Sequence, residues 1–123
     1  MRVRCSGQQE AIPVRLAHID APELHQEHGK RSRDFLRFIC PVGMKVQVQS
    51  SGKDRRGRML GTVICNDINA NVAMIMGGHA WASGQPVPAA ELEKIQKKAQ
   101  SNHMGLWRRP NPIDPREFRK MVR

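Results

Sequence analysis

The chain has 123 residues and a formal net charge of +10, from 21 Lys and Arg against 11 Asp and Glu. This length predicts one domain, with enough core to fold without disulfide or metal staples. The charge predicts a phosphate-rich partner such as nucleic acid, and no apolar run reaches the roughly 18 residues that a membrane span requires.

The first third of the chain predicts a hairpin and then a helix. The stretches RVRCS and AIPVRLAHI both alternate apolar and polar residues, with a polar, glycine-containing turn between them. That pattern is typical of two antiparallel strands. In HGKRSRDFLRFIC the apolar side chains recur at helical spacing, and Pro41 ends the predicted helix.

The rest of the chain predicts a second strand pair and two further helices. MKVQVQS and MLGTVIC are the strands, joined by the glycine-bounded basic loop GKDRRGR. NDINANVAMIMGGHA has the Asn caps and glycine stop of a short helix. PAAELEKIQKKAQSNHMG has early acids and late lysines, as the helix dipole prefers. The segment from Trp107 carries three prolines and six Lys or Arg, and we expect it to be irregular.

This order of elements predicts the fold class. Locally paired strands with helices set apart favour an α+β fold over a parallel α/β sheet. We expect one domain over residues 1–107 and a basic, proline-containing tail over 108–123.

The three cysteines bear on the cell compartment. Cys5, Cys40 and Cys65 are odd in number and lack CxxC spacing, which predicts neither a disulfide framework nor a zinc site. Cys40 and Cys65 stand in apolar runs, where we expect small buried side chains. Unpaired cysteines favour a reducing compartment. The chain shows no signal peptide, so we expect a cytoplasmic protein, or an exported one if an N-terminal segment precedes Met1.

The stretch VRLAHIDAPE carries the first candidate site. Strand alternation places Arg15 and Asp20 on opposite faces, so one site can use both only if the strand bends before Asp20. The pair Ala21 and Pro22 predicts a turn. It would bring Asp20, the Ala21 carbonyl and Glu23 together as hard oxygen ligands for calcium or magnesium. One carboxylate could then hold the metal while the other positions or deprotonates a water.

The second candidate site is the loop DRRGR. Arg58 stands at the foot of the next strand, and with Arg15 it could clamp a phosphodiester through bidentate hydrogen bonds. A solvated hairpin loop is the alternative interpretation. His25 and His28, in the stretch HQEH, have helical i,i+3 spacing. Zinc binding by these histidines is an alternative, but we expect a solvated loop there.

Four stretches in this order resemble the staphylococcal nuclease (thermonuclease) family: VRLAHIDAPE, DRRGRMLGTVI, NVAMIMGGHAW and AQSNHMGLW. The resemblance implies an OB-type small β-barrel of five strands with three helices, which cuts DNA and RNA with calcium. By position it implies that Asp20 and the Ala21 carbonyl bind the metal and that Glu23 is the general base. It implies that Arg15 and Arg58 hold and neutralise the scissile phosphate.

The chain departs from the family pattern in two places. The family has a further strand that ends in Asp-Gly-Asp-Thr and supplies a second metal-binding Asp, which would fall at or just before Met1. We therefore expect the first barrel strand to be absent from this chain, with an open sheet edge available for self-association. Family members also carry Tyr where Arg56 stands, and we expect Arg55 and Arg56 to contact nucleic acid.

These observations predict a calcium-dependent nuclease in which Glu23 assists water attack and two arginines stabilise the phosphate. The alternative is a weakly active or inactive nucleic-acid-binding module of the same fold, or a truncated nuclease fragment. A third alternative is an interaction domain whose basic surface binds an acidic protein. The third leaves the ordered motifs unexplained.

Overall fold

A computed structural model describes residues 1–4, 10–83 and 90–122 of the chain. The strands in these ranges are β1 (Arg2–Arg4), β2 (Ala11–Leu16), β3 (Ile19–Asp20), β4 (Val46–Lys53), β5 (Met59–Cys65), β6 (Ile68–Asn69) and β7 (Trp81–Ala82). The helices are α1 (Gly29–Ile39), α2 (Ala70–Met76), α3 (Ala90–Ser101), a 3-10 turn (Gly105–Arg108) and α4 (Pro115–Met121).

The main sheet has the order β1-β2-β5-β4, with β6 paired to β5. Both predicted hairpins are confirmed, because β1 pairs antiparallel with β2 and β4 pairs antiparallel with β5. β2 runs parallel to β5, with Arg15 opposite Leu60. This pairing sets the strand that carries Arg15 beside the strand that leaves the DRRGR loop.

The core lies where β5 meets α2. Val63, Cys65 and Ile75 are all completely buried, which is the aliphatic interior that a chain with only 4% aromatic residues must build. The prediction of an α+β fold of the small OB type is confirmed. Among the described residues the longest helix, α3, has 12 residues, so none is long enough to cross a membrane.

A buried asparagine connects α2 to the strands that carry the candidate site. The Asn71 side-chain amide donates to the carbonyls of Ala17 at 3.0 Å and Gly61 at 3.1 Å, and its oxygen accepts from the Val63 N–H at 3.1 Å. Each of these groups would cost about 1–3 kcal/mol if left buried without a partner. Asn71 therefore fixes the end of β2 against β5.

The prediction that Cys40 and Cys65 are unpaired is wrong. They form a disulfide with their Cα atoms 5.5 Å apart, which is within the usual range. The bond joins the residue after α1 to the last residue of β5. Their apolar surroundings are confirmed, since both side chains are buried, but the expectation of a reducing compartment loses its basis for this pair.

The prediction that the tail is irregular is also wrong for residues 115–121. The Asp114 side chain accepts from the Arg116 N–H at 2.8 Å and so caps α4, with Pro115 in the first turn. Proline suits this position because the first helical N–H groups have no partner within the helix. The described residues thus contain four α-helices, where three were expected.

Candidate active site

Asp20 reaches Arg15 because the chain turns between them. After β2 ends at Leu16, His18 adopts a left-handed conformation with φ of 64°, and the chain re-enters extended structure at Ile19. The bend required before Asp20 is therefore present, but it lies at residues 17–18, earlier than the expected turn at residues 21–22. The Asp20 carboxylate is buried and lies 3.7 Å from the Arg15 guanidinium.

Glu23 begins a loop that is fixed at both ends. Its backbone N–H donates to the Gln26 side chain at 3.1 Å, and the Gln26 N–H returns a bond to the Glu23 carbonyl at 2.9 Å. The Gln26 amide also donates to the Ile113 carbonyl in the tail. A Cβ atom on Gly29 would lie 1.9 Å from the Glu23 carbonyl oxygen. Only glycine allows α1 to start this close to the site.

The residue that brings the two carboxylates together is Arg119 of α4. One guanidinium nitrogen lies 2.6 Å from Glu23 Oε1, and the other lies 2.8 Å from Asp20 Oδ2. The hydrogen bond to Asp20 has the largest effect and raises the pKa of Arg119, burial comes next and lowers it, and the hydrogen bond to Glu23 raises it further. Sequence reasoning missed Arg119 because it is 99 residues from Asp20, and no local pattern marks such a contact.

The DRRGR loop folds around Asp54. This carboxylate accepts from the backbone N–H groups of Arg56 at 2.9 Å and Arg58 at 2.8 Å, and from the Arg58 side chain at 2.7 Å. Desolvation acts to raise the pKa of Asp54, but the bonds from Arg58 and Arg56 together lower it. Asp54 therefore keeps its charge and orients Arg58.

Four of the predicted site residues line one cleft of about 520 Å³. They are Arg15, Arg55, Arg56 and Arg58. Asp20 and Glu23 do not line this cleft, but Arg15 in its wall lies 3.7 Å from Asp20. The structure thus brings the four arginines together and places Asp20 next to one of them, Arg15. Arg58 instead pairs with Asp54 of its own loop.

A larger cleft of about 880 Å³ adjoins the acid pair on another side. Its lining includes Leu24 and Phe118, the chain neighbours of Glu23 and Arg119, and four basic residues. The basic residues are Lys30, Arg31, Arg108 and Arg109. The pKa of His28 in its wall is lowered, first by burial and then by the charge of Arg31.

The zinc alternative gains no support. Within residues 1–4, 10–83 and 90–122, no three His, Cys, Asp or Glu side chains are grouped to hold a metal ion. His28 instead contacts His79, with ring nitrogens 2.9 Å apart. Burial, and next the nearby His28, lower the pKa of His79 to about 4. The Asp20–Glu23 pair itself offers two carboxylates, and hard oxygen donors of this kind suit calcium, although both now bond to Arg119.

Comparisons of the sequence with known proteins identify the family of this chain. The sequence model of a family described as staphylococcal nuclease homologue matches residues 13–109. An uncharacterized endonuclease of Escherichia coli O157:H7 is 36% identical over 108 residues, which cover 87% of this chain and 70% of that protein. An uncharacterized endonuclease of Haemophilus influenzae is 37% identical over 111 residues, covering 90% of this chain and 62% of that protein.

A third relative, named micrococcal nuclease, comes from Shigella flexneri. It is 36% identical over 124 residues, with 91% of this chain and 70% of the relative covered. The matched residues 13–109 contain the acid pair and the arginine cleft. Family and relatives support a nuclease as the class of protein. The chain belongs to the staphylococcal nuclease homologue family.

Proposed function

We propose that this chain is a calcium-dependent nuclease that hydrolyses phosphodiester bonds of DNA or RNA. The observation that carries the proposal is the convergence of Asp20, Glu23 and Arg15 beside a cleft lined by arginines. A strand end that only packed a core would not require carboxylates and arginines side by side. A phosphodiester needs both, since water must be activated and negative charge must be stabilised.

The two carboxylates differ in exposure, and this difference assigns their roles. The Asp20 side chain is 8% exposed, whereas the Glu23 side chain is 42% exposed. A buried, immobile carboxylate suits a metal ligand, and a solvent-accessible one can position or deprotonate a water molecule. We therefore propose that Asp20 holds the cation, with the Ala21 carbonyl beside it, and that Glu23 is the general base.

The metal fits the donor chemistry of this site. A bound divalent ion would neutralise charge on the phosphate and lower the pKa of water. Asp20 would hold the ion, and Arg119 must move, since its guanidinium now bonds to both carboxylates.

The arginines would bind and stabilise the phosphate. Arg15 and Arg58 line the same cleft, and Asp54 fixes Arg58 through a bond of 2.7 Å. Fixed donors cost no reorganisation when charge develops, and losing one such donor typically costs about 3–4 kcal/mol of transition-state stabilisation. Arg55 and Arg56 would contact neighbouring phosphates of the strand, as would the basic residues of the larger cleft.

A non-catalytic nucleic-acid-binding module is the second candidate. One observation favours it, namely that Arg119 already occupies the carboxylates that a nuclease would need. Such a module would bind nucleic acid with a steep dependence on salt and would show no turnover.

The deciding experiment is cleavage of a fluorogenic single-stranded DNA with calcium and then with chelator. Glu23→Gln is the test variant, and Glu27→Gln is the matched control because it is an exposed glutamate in the same loop. We expect chelator or Glu23→Gln to abolish cleavage, with Glu27→Gln close to the parent. Cleavage by Glu23→Gln at the parental rate would contradict the proposal. Salt-sensitive binding without cleavage by the parent would favour the binding module.

A further inference from the structure

We propose that Arg119 is the resident cation of the Asp20–Glu23 pair, so that α4 and a divalent ion bind to this pair in competition. The proposal rests on the proposed function only in taking Asp20 as a ligand of the cation, with Glu23 beside it. It makes Arg119, a residue of the tail, a competitor of the metal and predicts that metal binding loosens α4.

The contacts show a single cation bridging two anions. Nη1 of Arg119 lies 2.6 Å from Glu23 Oε1 and 3.4 Å from Asp20 Oδ1, and Nη2 lies 2.8 Å from Asp20 Oδ2. The planar guanidinium thus meets both oxygens of Asp20 and one of Glu23. Charge-assisted contacts of this fork type are the strong class of protein hydrogen bond. A metal ion bound to the Asp20 oxygens would need the space that Arg119 occupies.

Charge balance makes the competition direct. The negative charges of Asp20 and Glu23 are matched by Arg119, which contacts both, and by Arg15, which lies 3.7 Å from Asp20. A divalent ion added to this set would place excess positive charge within a few ångströms of two guanidinium groups, where solvent screens the repulsion only in part. The arrangement favours exchange of Arg119 for the ion over simultaneous binding of both.

The helix that carries Arg119 is anchored at its first residue and through Arg119. α4 has seven residues, and an isolated helix of this length is not stable in water. Pro115 is fully buried and Phe118 is half-buried, whereas four of the seven side chains are exposed. Among the described ion pairs of α4, only those of Arg119 reach the body of the protein, since Arg116 and Lys120 pair with Asp114 and Glu117, close in sequence. Loss of the Arg119 contact would therefore loosen the part of α4 that follows Pro115.

The first test is calcium binding by titration calorimetry without nucleic acid. Arg119→Ala and Arg119→Gln remove the competing charge, and Lys120→Ala is the matched control because it removes a neighbouring, exposed charge of α4. We expect both Arg119 variants to bind calcium about tenfold more tightly than the parent, or to bind it where the parent does not. Lys120→Ala should match the parent. Equal or weaker binding by both Arg119 variants, or no binding by any of the proteins, would overturn the proposal.

The second test follows α4 itself by hydrogen exchange in the parent chain. The Phe118 N–H bonds to the Asp114 carbonyl at 3.0 Å, and its exchange reports whether α4 is formed. We expect calcium to speed exchange of this amide in the parent and to leave it unchanged in a chain with Asp20→Asn and Glu23→Gln. Calcium that binds the parent without changing exchange in α4 would contradict the competition.

These readouts separate the inference from the proposed function. Tighter calcium binding by Arg119→Ala in a protein that never cleaves DNA would support the competition and refute the nuclease. Calcium-dependent cleavage with unchanged binding by the Arg119 variants would support the nuclease and refute the competition.

Discussion

Two clusters of carboxylates and arginines at the candidate site differ in how their members are brought together. Asp54 and Arg58 are four residues apart, and a single turn joins them. Asp20 and Arg119 are 99 residues apart and meet only when both ends of the described chain are folded. The local cluster forms wherever its hairpin forms, because both residues lie in the same turn. The distant cluster depends on the whole fold, including the buried Asn71 that fixes the end of β2.

This difference has a consequence for function. A contact that the whole fold must support can be released by moving one element, which for Arg119 is α4. A contact within one turn persists as long as the hairpin does. The site therefore combines an arginine fixed within its own loop, Arg58, with an acid pair whose cation we propose to be exchangeable.

The largest expected effect tests whether the two clusters serve one phosphate. Arg15→Ala in the distant cluster and Arg58→Ala in the local one should each lower kcat/KM for DNA cleavage about 100-fold to 1,000-fold, because each removes a fixed donor to the phosphate. Arg33→Ala is the control, since this arginine pairs with its neighbour Asp34 on α1. If only one of the two variants loses activity, the clusters do not share a substrate group.

Removal of the disulfide has the next largest expected effect, which is a loss of stability. The loop that the disulfide closes contains only the local cluster. The bond between Cys40 and Cys65 spans 25 residues, and these include Asp54 and Arg58 but neither acid of the distant pair. Replacing both cysteines by Ala, which buries no hydroxyl, should lower the free energy of unfolding by about 3 kcal/mol, chiefly because the unfolded chain regains freedom. Urea unfolding measures this loss.

The parent under reducing conditions is the control for that experiment. Reduction should bring the parent to the stability of the double variant and should leave the variant unchanged. A parent that is equally stable with and without reductant would show that the disulfide contributes nothing.

Sequence patterns predicted the parts of the molecule that are local. Alternation predicted both hairpins, and apolar spacing with Asn and Gly signals predicted α1, α2 and α3, because these cues act within a few residues. The tail also contains a local signal for a helix start. Asp114 followed by Pro115, with Glu117 in the first turn, is a helix start, since Asp accepts from the first N–H groups and Pro suits the next position.

The contacts between distant residues could not be predicted in this way. Pairing of Cys40 with Cys65 depends on where α1 ends relative to β5, and the spacing of the cysteines does not contain that distance. The meeting of Arg119 with Asp20 likewise depends on where α4 packs. The turn at residues 17–18 illustrates the same limit on a smaller scale. Its left-handed His18 is a conformation that histidine adopts more often than most residues but that no motif in the stretch marks.

The smallest expected effect tests how far the charge of Asp54 contributes to the stability of the local cluster. In Asp54→Asn the side-chain oxygen can still accept from the backbone of the loop, but the charge that pairs with Arg58 is lost. We expect the melting temperature near pH 7 to fall by about 3 °C. Asp67→Asn is the control, because Asp67 is an exposed turn residue with positive φ that Asn also tolerates.

The pH dependence of that difference decides its cause. The pKa of Asp54 is lowered from 3.8 in the folded protein, so its charge stabilises the fold above about pH 4 and stops doing so as the pH falls through the lowered value. The melting temperatures of the parent and Asp54→Asn should therefore stay apart from pH 7 to pH 5 and draw closer as the pH falls below about 4. A gap that keeps its full size below about pH 4 would show that the shape of the side chain, rather than its charge, holds the loop, and that Arg58 is oriented without an ion pair.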